Sequence, residues 1–311
     1  MTFVALNCPQ CSAPLPRVAI WRAVKCGACG ALITKNESAV LRDSFRQALV
    51  RARQGSAGSG GVECGGERYH LLQLLGSGEV SQVYVAQRIG ALPFLATFKI
   101  SSAPTAAKRF AQEAGVLREL QLLGGVGGAF FSQRLPEVVA QGVVDDARHA
   151  LVLRHPNGFW GNLAELNDRF AKGIDPRHAV WIWRRILEVL RFVHSNGWCH
   201  GDVRPEHALV HPEDHAVRLI GWASAQKSAD AKAQATDLLR SARVVLVLLS
   251  GASDSGVPSH VPPGLAQLVT RAAEDADFCQ AQGAEGLDAL LRAEAKTAFG
   301  PPSFVPLTIL T

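Results

Sequence analysis

The chain has 311 residues, of which 48% are hydrophobic and 19% are charged, which excludes a disordered or fibrous protein and suffices for one sizeable core plus a small accessory module. The net charge is +5, but residues 1–55 carry eight Lys and Arg against Glu37 and Asp43, so the remainder is close to neutral. No run approaches the roughly 18 uninterrupted apolar residues of a membrane helix, and the start lacks a signal-peptide pattern. We therefore expect a cytoplasmic protein without a membrane partner.

Two closely spaced cysteine pairs lie near the start of the chain. Cys8 and Cys11 are separated from Cys26 and Cys29 by fourteen residues, a spacing that lets four thiolates surround Zn²⁺ tetrahedrally. The segment resembles the zinc ribbons found at the ends of many bacterial and archaeal proteins. We therefore expect residues 1–35 to hold a structural zinc ion, in a compartment reducing enough to keep the thiols free.

A basic helix and a glycine-rich segment are predicted to follow the ribbon. Residues 36–54 place apolar side chains such as Val40 and Phe45 near helical spacing, with arginines elsewhere on the surface. This basic surface could meet an acidic protein or a nucleic acid. Residues 55–68 are rich in Gly and Ser and are interpreted as a flexible linker.

The rest of the chain changes from strand-like to helical patterning. The predicted strands are short and apolar: 71–75, 83–86, 95–100, 138–143 and 150–153. One helix, 106–123, is predicted among these strands. Two further helices, 179–194 and 236–249, are predicted after residue 176. A β-rich part followed by a helical part predicts a two-lobed α+β domain over residues 69–311. Its N-terminal lobe would be residues 69–153 and its C-terminal lobe residues 157–311.

The segment LLQLLGSGEVSQVYVA resembles the glycine-rich loop of protein kinases. Gly76 and Gly78 take the first two glycine positions, Ser81 the third, and Val83 the position of the following valine. The resemblance implies that backbone N–H groups approach the phosphates of a nucleotide and that Val83 packs on the base. The competing interpretation of this segment alone is an ordinary hairpin.

Three further stretches agree with the kinase resemblance. In ATFKI, Lys99 takes the place of the phosphate-binding lysine, and Glu113 takes that of the helix glutamate which holds it. LVLRHPNG resembles the last strand of the small lobe and the hinge. The resemblance places Leu153 near the gatekeeper position and makes Arg154–Pro156 available for backbone contacts with an adenine.

The strongest resemblance is in VHSNGWCHGDVRPEHALVHPEDHAVRLIGWASA, which aligns without a gap on the kinase catalytic loop and the strands that follow. The aligned positions of the degenerate catalytic site are His200, Asp202, Arg204, His207 and Gly221. The resemblance makes Asp202 the catalytic aspartate and Arg204 the replacement of the catalytic-loop lysine. Further along, Asp237 resembles the aspartate that holds the backbone of the catalytic loop.

Two departures concern the metal. Kinases bind Mg²⁺ through the Asp of Asp-Phe-Gly and the Asn of the catalytic loop, and these positions are Gly221 and His207 here. Glycine offers no side-chain ligand, and imidazole is a poor ligand for a hard cation. The resemblance therefore implies a pseudokinase that binds ATP or another nucleotide, has lost its Mg²⁺ site, and acts in signalling by docking an unknown protein partner.

Two alternatives stay open. The first is an active, atypical Ser/Thr kinase or other ATP-dependent transferase that uses Asp202, with metal held by Asp202 and either Asp214 or Glu206. The second is a nucleic-acid-binding or acidic-partner-binding protein, in which the ribbon and basic helix bind and the kinase fold is a docking unit.

Overall fold

A computed structural model describes residues 24–25, 32–33, 61–78, 81–90, 93–124, 128–144, 148–228, 230–251 and 256–309. The described strands are β1 (Val24–Lys25), β2 (Leu32–Ile33), β3 (Val62–Cys64), β4 (Glu67–Ser77), β5 (Gln82–Ile89), β6 (Leu95–Ser101), β7 (Val138–Val143), β8 (His149–Arg154), β9 (Gly161–Asn162), β10 (Trp198–Cys199), β11 (Ala208–His211), β12 (Ala216–Leu219) and β13 (Gln226–Lys227).

The described α-helices are α1 (Ala106–Gln121), α2 (Gly128–Ser132), α3 (Leu163–Arg169), α4 (Pro176–Ser195), α5 (Ala231–Ser250), α6 (Pro263–Glu274) and α7 (Ala276–Phe299). The predicted strands and helices from residue 69 onward are confirmed, with ends that differ by up to five residues. None of the described helices combines the length and apolar composition that crossing a bilayer requires. The predicted helix within residues 36–54 lies outside the described residues.

The chain divides into two compact units. The first comprises the described residues up to Ala114 together with Glu137–His155, and the second comprises Gly115–Pro136 and the residues from Pro156 onward. The division differs from the predicted lobes at 69–153 and 157–311, because residues 115–136 belong with the helical unit. The boundary falls within α1, so one helix contributes its first half to the sheet unit and its second half to the helical unit.

The first unit contains a six-stranded antiparallel sheet in the order β3-β4-β5-β6-β8-β7. Its core consists mainly of residues that alternate along the strands, as expected when one sheet face is buried. Members of this core are Cys64, Tyr69, Ala86, Ala96, Phe98, Ile100, Ala140, Val144, Ala150 and Val152.

The predicted linker at 55–68 is wrong for its second half. β3 lies within it and pairs with β4, with Val62 opposite Tyr69 and the side chain of Cys64 buried. The two strands are joined at Gly65 and Gly66, whose φ values of 64° and 77° are both positive. A two-residue hairpin turn of type I′ requires positive φ at both positions, which Gly-Gly allows. The glycines that suggested a tether therefore form a tight turn, and the folded unit begins before residue 69.

The second unit is mainly helical. Asp175 caps α4, Asp230 caps α5, and both α4 and α6 begin with proline, which suits the first helical turn. These helices and α7 pack together, and Trp183 is fully buried with its Nε1 donating to the hydroxyl of Ser241 at 3.0 Å. A three-stranded sheet in the order β12-β11-β9 lies in the same unit.

The C-terminal segment packs on this helical unit. The ring of Phe304 stacks on the ring of His215, with centroids 4.2 Å apart. The ring of Trp181 also stacks on His215, with centroids 4.3 Å apart. Leu307 is buried. His215 lies in the turn between β11 and β12 with φ of 47°, a left-handed conformation that is uncommon for a residue other than glycine. The segment after α7 therefore holds this turn against α4.

Candidate functional site

Three of the predicted nucleotide-binding residues of the first unit lie in one row across the sheet. Gly76 on β4 is paired with Val83 on β5, and Val83 is paired with Lys99 on β6. On the next strand, Leu153 of β8 is buried and paired with Thr97, two residues from Lys99. Because side chains two residues apart on a strand share a face, Val83, Lys99 and Leu153 lie on the same face of the sheet.

The predicted glycine-rich loop connects β4 and β5. The N–H of Gly78 donates to the carbonyl of Ser81 at 2.8 Å, which closes the loop beyond the last paired residues, Ser77 and Gln82. Gly76 and Gly78 are exposed, and a β-carbon at Gly76 would meet no atom within 4 Å. The backbone here is open to a ligand, as close approach of phosphates would require.

Lys99 and Glu113 form an ion pair. The Nζ of Lys99 lies 2.6 Å from Oε2 of Glu113, and the side chains are 18% and 2% exposed. The other oxygen of Glu113, Oε1, is buried and has no hydrogen-bond partner among the described residues. Pairing holds the ammonium group at a fixed position, while two of its three donors remain for other acceptors. These residues fit a nucleotide phosphate.

Asp237 on α5 anchors the catalytic loop in the second unit, as expected. Its carboxylate accepts the backbone N–H of His200 at 2.7 Å and that of Gly201 at 2.9 Å, and His194 on α4 contributes a third contact at 3.1 Å. Charged hydrogen bonds of this kind hold the pKa of Asp237 below its usual value against the opposing effect of burial. The contact of His194 with Asp237 is not predicted from the sequence. The available signal is that His194 lies only six residues before His200.

His200 joins the catalytic loop to the strand that precedes Gly221. Its Nε2 donates to the carbonyl of Ile220 at 3.0 Å, and its Nδ1 accepts the N–H of Asp202 at 3.2 Å. The ring packs against Trp222 with centroids 4.4 Å apart. Burial lowers the pKa of His200 to about 4, so the neutral ring serves as donor on one side and acceptor on the other.

The carboxylate of Asp202 is engaged by its own loop. Its Oδ2 lies 3.3 Å from Nδ1 of His207 and 3.7 Å from Nε of Arg204. The same Nδ1 of His207 lies 2.9 Å from the backbone carbonyl of Asp202. The Nε2 of His207 faces Nη2 of Arg204 at 3.4 Å. A guanidinium can only donate, so Nε2 is the acceptor and the proton lies on Nδ1. Both ring nitrogens are therefore used within the loop.

His207 occupies the space beside Gly221. A β-carbon at Gly221 would lie 2.7 Å from three atoms of the His207 ring, and Gly221 has a left-handed backbone with φ of 78°. Any side chain at this position would collide with the imidazole. The two positions that hold Mg²⁺ in kinases therefore do not fit Mg²⁺ here, since one has no ligand atom and the other has both nitrogens occupied.

The segment after Gly221 is short. It forms a 3₁₀ turn at Trp222–Ser224 and then β13, which pairs with β10 before α5 begins at Ala231. Lys227 on β13 reaches Glu119 of α1 at 2.6 Å. Only nine residues therefore separate Gly221 from the start of α5.

Gly201, which takes the arginine position of the family motif, is tightly enclosed. Its φ is 79°, and a β-carbon would lie 2.5 Å from the carbonyl oxygen of Ser224. The guanidinium of Arg240 on α5 donates to the carbonyl of Gly201. Sequence reasoning did not identify Arg240, because its distance along the chain gives no signal of this contact.

The metal-binding potential outside the catalytic loop is limited among the described residues. His194, Cys199 and Asp237 place ligand atoms within 4.8 Å of one another. Asp237 already accepts two backbone N–H groups, and burial raises the pKa of the Cys199 thiol to about 11. This group is better suited to anchoring the loop than to binding a metal.

The predicted zinc ligands Cys8, Cys11, Cys26 and Cys29 lie outside the described residues. Strands β1 and β2 pair antiparallel, with Val24 opposite Ile33. The second cysteine pair therefore falls between two paired strands in the sequence.

Comparison with known proteins agrees with the geometry of both units. Residues 69–243, more than half of the chain, match the family model described as the protein kinase domain. The serine/threonine-protein kinase PknD of Mycobacterium tuberculosis, in strain CDC 1551 / Oshkosh and in strain ATCC 25618 / H37Rv, is 30% identical over 174 residues. That match covers 52% of this chain and 23% of PknD, so the chain corresponds to less than a quarter of the length of these relatives. The chain belongs to the protein kinase domain family and contains a kinase-like nucleotide-binding module.

Proposed function

We propose that the kinase-like domain is a pseudokinase, which binds a nucleotide without transferring its phosphate and acts through a protein partner. The observation that carries the proposal is the imidazole of His207, which fills the space of any side chain at Gly221 and uses both of its nitrogens inside the loop.

Nucleotide binding is supported by the first unit. The paired Lys99 and Glu113, the open backbone at Gly76 and the shared sheet face of Val83 and Leu153 are the features that a nucleotide needs. Without a ligand, the largely buried ammonium group of Lys99 would have only its ion pair with Glu113 to offset the cost of removing its charge from water. A ligand with phosphates gives that charge a second partner.

Loss of phosphate transfer is supported by the second unit. Mg²⁺ bridges the phosphates in the family reaction and neutralises the charge that develops. Metal stabilisation of that kind is worth several kcal/mol, and each loss of about 1.4 kcal/mol slows a reaction tenfold. The short path from Gly221 through β13 to α5 also leaves little chain for a peptide-binding platform.

The first test is thermal unfolding with ATP or ADP, each with Mg²⁺ and with a brief exposure to EDTA. We expect a nucleotide-dependent rise in melting temperature that does not require Mg²⁺, because ligands that bind only the folded state stabilise it. Lys99→Ala should abolish the rise. Lys108→Ala removes an exposed lysine from α1 of the same unit and should keep it. The absence of any shift in the wild type would refute nucleotide binding.

The second test is phosphate transfer from labelled ATP to the chain itself and to generic protein substrates. The wild type and Asp202→Asn should give the same background signal with Mg²⁺ or Mn²⁺. Transfer by the wild type that Asp202→Asn removes would refute the pseudokinase assignment.

Such transfer would favour the atypical transferase instead. Glu206 is the candidate metal ligand for it, since its carboxylate lies 3.9 Å from the same Arg204 guanidinium that contacts Asp202. Asp214 lies in the turn between β11 and β12 and contacts His211 at 3.4 Å.

A further inference from the structure

The segment at the end of β8, Arg154–Pro156, has no backbone N–H for a ligand. The N–H of Arg154 donates to the carbonyl of Glu137 at 2.9 Å, and the N–H of His155 donates to the carbonyl of Leu95 at 3.0 Å. Pro156 has no N–H at all. Each amide carries a single hydrogen, so the amides of Arg154 and His155 have none left for a ligand. Pro156, the third residue, has no hydrogen to donate.

The same segment can still accept hydrogen bonds. Each backbone carbonyl has two lone pairs, so a carbonyl in a sheet can also accept from a ligand. The next N–H along the chain belongs to Asn157, beyond the proline. At Arg154–Pro156 a base can therefore be bound only through groups that donate.

Adenine presents two different groups on its Watson–Crick edge. The exocyclic amine donates, and the ring nitrogen N1 beside it accepts. A carbonyl can pair with the amine, whereas N1 needs an N–H donor. Pro156 removes the donor from the segment that the kinase resemblance places against the base.

We propose that Arg154–Pro156 binds the base of the nucleotide through carbonyl oxygens alone. The ligand class is a nucleotide whose base carries an exocyclic amine, and its adjacent ring nitrogen receives no hydrogen bond from the protein. This inference rests on the proposed nucleotide binding. It adds that the backbone of Arg154–Pro156 selects the base by its exocyclic amine.

The test compares ATP with 1-deaza-ATP, in which a C–H group replaces N1. Dissociation constants are measured by calorimetry for the wild type, Pro156→Ala and a control, Pro301→Ala, which changes an exposed proline of the C-terminal segment. The wild type and the control should bind the two nucleotides within about twofold of each other. Pro156→Ala restores an N–H and should bind ATP about two- to twelvefold more tightly than 1-deaza-ATP, the range expected for one net hydrogen bond.

The outcomes separate this inference from the proposed function. A wild type that prefers ATP over 1-deaza-ATP by the same factor as Pro156→Ala would overturn the inference while leaving nucleotide binding intact, since another donor would then contact N1. A wild type that binds neither nucleotide would refute nucleotide binding and this inference with it. Pro156→Val, which also supplies an N–H, repeats the comparison if Pro156→Ala unfolds, and the wild-type comparison needs no variant.

Discussion

At the residue scale, His207 and Gly221 depend on each other. The β-carbon position of Gly221 lies 2.7 Å from the His207 ring, so a side chain at one position requires a smaller neighbour at the other. The backbone of Gly221 is left-handed, which Asp and Asn tolerate better than most residues. The collision with the ring, more than the backbone, is therefore the main obstacle to an aspartate here.

A double-mutant cycle tests this dependence. Gly221→Asp alone should lower the free energy of unfolding by about 1 to 3 kcal/mol, because it overpacks a fixed ring. The loss should be smaller when His207→Asn is also present, giving a favourable coupling of about 1 to 2 kcal/mol. Urea unfolding of the four proteins measures the coupling, and additive effects would contradict it.

The acid response belongs to buried histidines, including His178, whose pKa is lowered by burial. Burial lowers the pKa of both His200 and His215 from 6.5 to about 4. Between pH 6.5 and 4 the unfolded chain binds more protons than the folded chain. The contribution of these histidines to the free energy of unfolding is therefore fully present above pH 6.5 and is lost as the pH is lowered towards 4. Carboxylates whose pKa values are lowered, such as Asp237, act below this window.

We expect His215→Asn to reduce the pH dependence of stability. Each histidine contributes at most about 1.4 kcal/mol per pH unit within the window, and Asn suits the left-handed backbone at this position. The variant will be less stable overall because the stacking on Trp181 and Phe304 is lost. The informative quantity is therefore the slope of unfolding free energy between pH 6 and 5, measured in urea; an unchanged slope would show that His215 does not titrate there.

At the element scale, Phe304→Ala tests how much the packing of the segment after α7 contributes to stability. Phe304 is 49% exposed but stacks on His215, so we expect a loss of about 1 kcal/mol. Leu122→Ala, which removes a side chain that is 84% exposed, should change stability by less than about 0.5 kcal/mol. Equal effects of the two variants in urea unfolding would show that the contact contributes nothing.

Most elements could be predicted from the sequence, because alternating strands and amphipathic helices have distinct periods. β3 is an exception, because Gly65 and Gly66 fit a flexible tether as well as a tight hairpin turn. β9 and β13 have two residues each and carry no pattern.

The candidate site could be predicted only where a family motif marks it. Asp202, Lys99 and Asp237 are found this way. The proximity of His207 and Gly221 follows from their assignment to two ligand positions of one metal site. The packing of the His207 ring into the space of a side chain at Gly221 could not be predicted, because it depends on the pairing of β11 with β12 and on the orientation of the ring. Arg240 was missed for the same reason, since its contact with Gly201 joins a helix to a distant loop.

At the scale of the whole molecule, the zinc ribbon is a separate prediction. If Cys8, Cys11, Cys26 and Cys29 bind zinc, the purified chain should contain about one zinc ion per molecule. Cys26→Ser should lower the zinc content, whereas Cys64→Ser, which changes a buried cysteine of the sheet unit, should not. Elemental analysis of the purified proteins measures both, and zinc retained by Cys26→Ser would exclude this ligand set.

Chelation should leave the kinase-like domain folded, because its two units have apolar cores of their own. A prolonged EDTA treatment followed by thermal unfolding checks this. A fall in the main melting transition would mean that the metal also supports the kinase-like domain.

The fit of the His207 ring into the space beside Gly221 also constrains how this sequence can evolve. A lineage that regained the family's two metal ligands would have to change both codons. Aspartate gained first would meet the imidazole, and asparagine gained first would supply one ligand without the other. Neither single step restores the metal site, and the first carries a penalty of its own. If the domain is a pseudokinase, as proposed, a return to phosphate transfer is therefore less accessible to selection than its loss, even though Lys99, Glu113 and Asp202 are still in the chain.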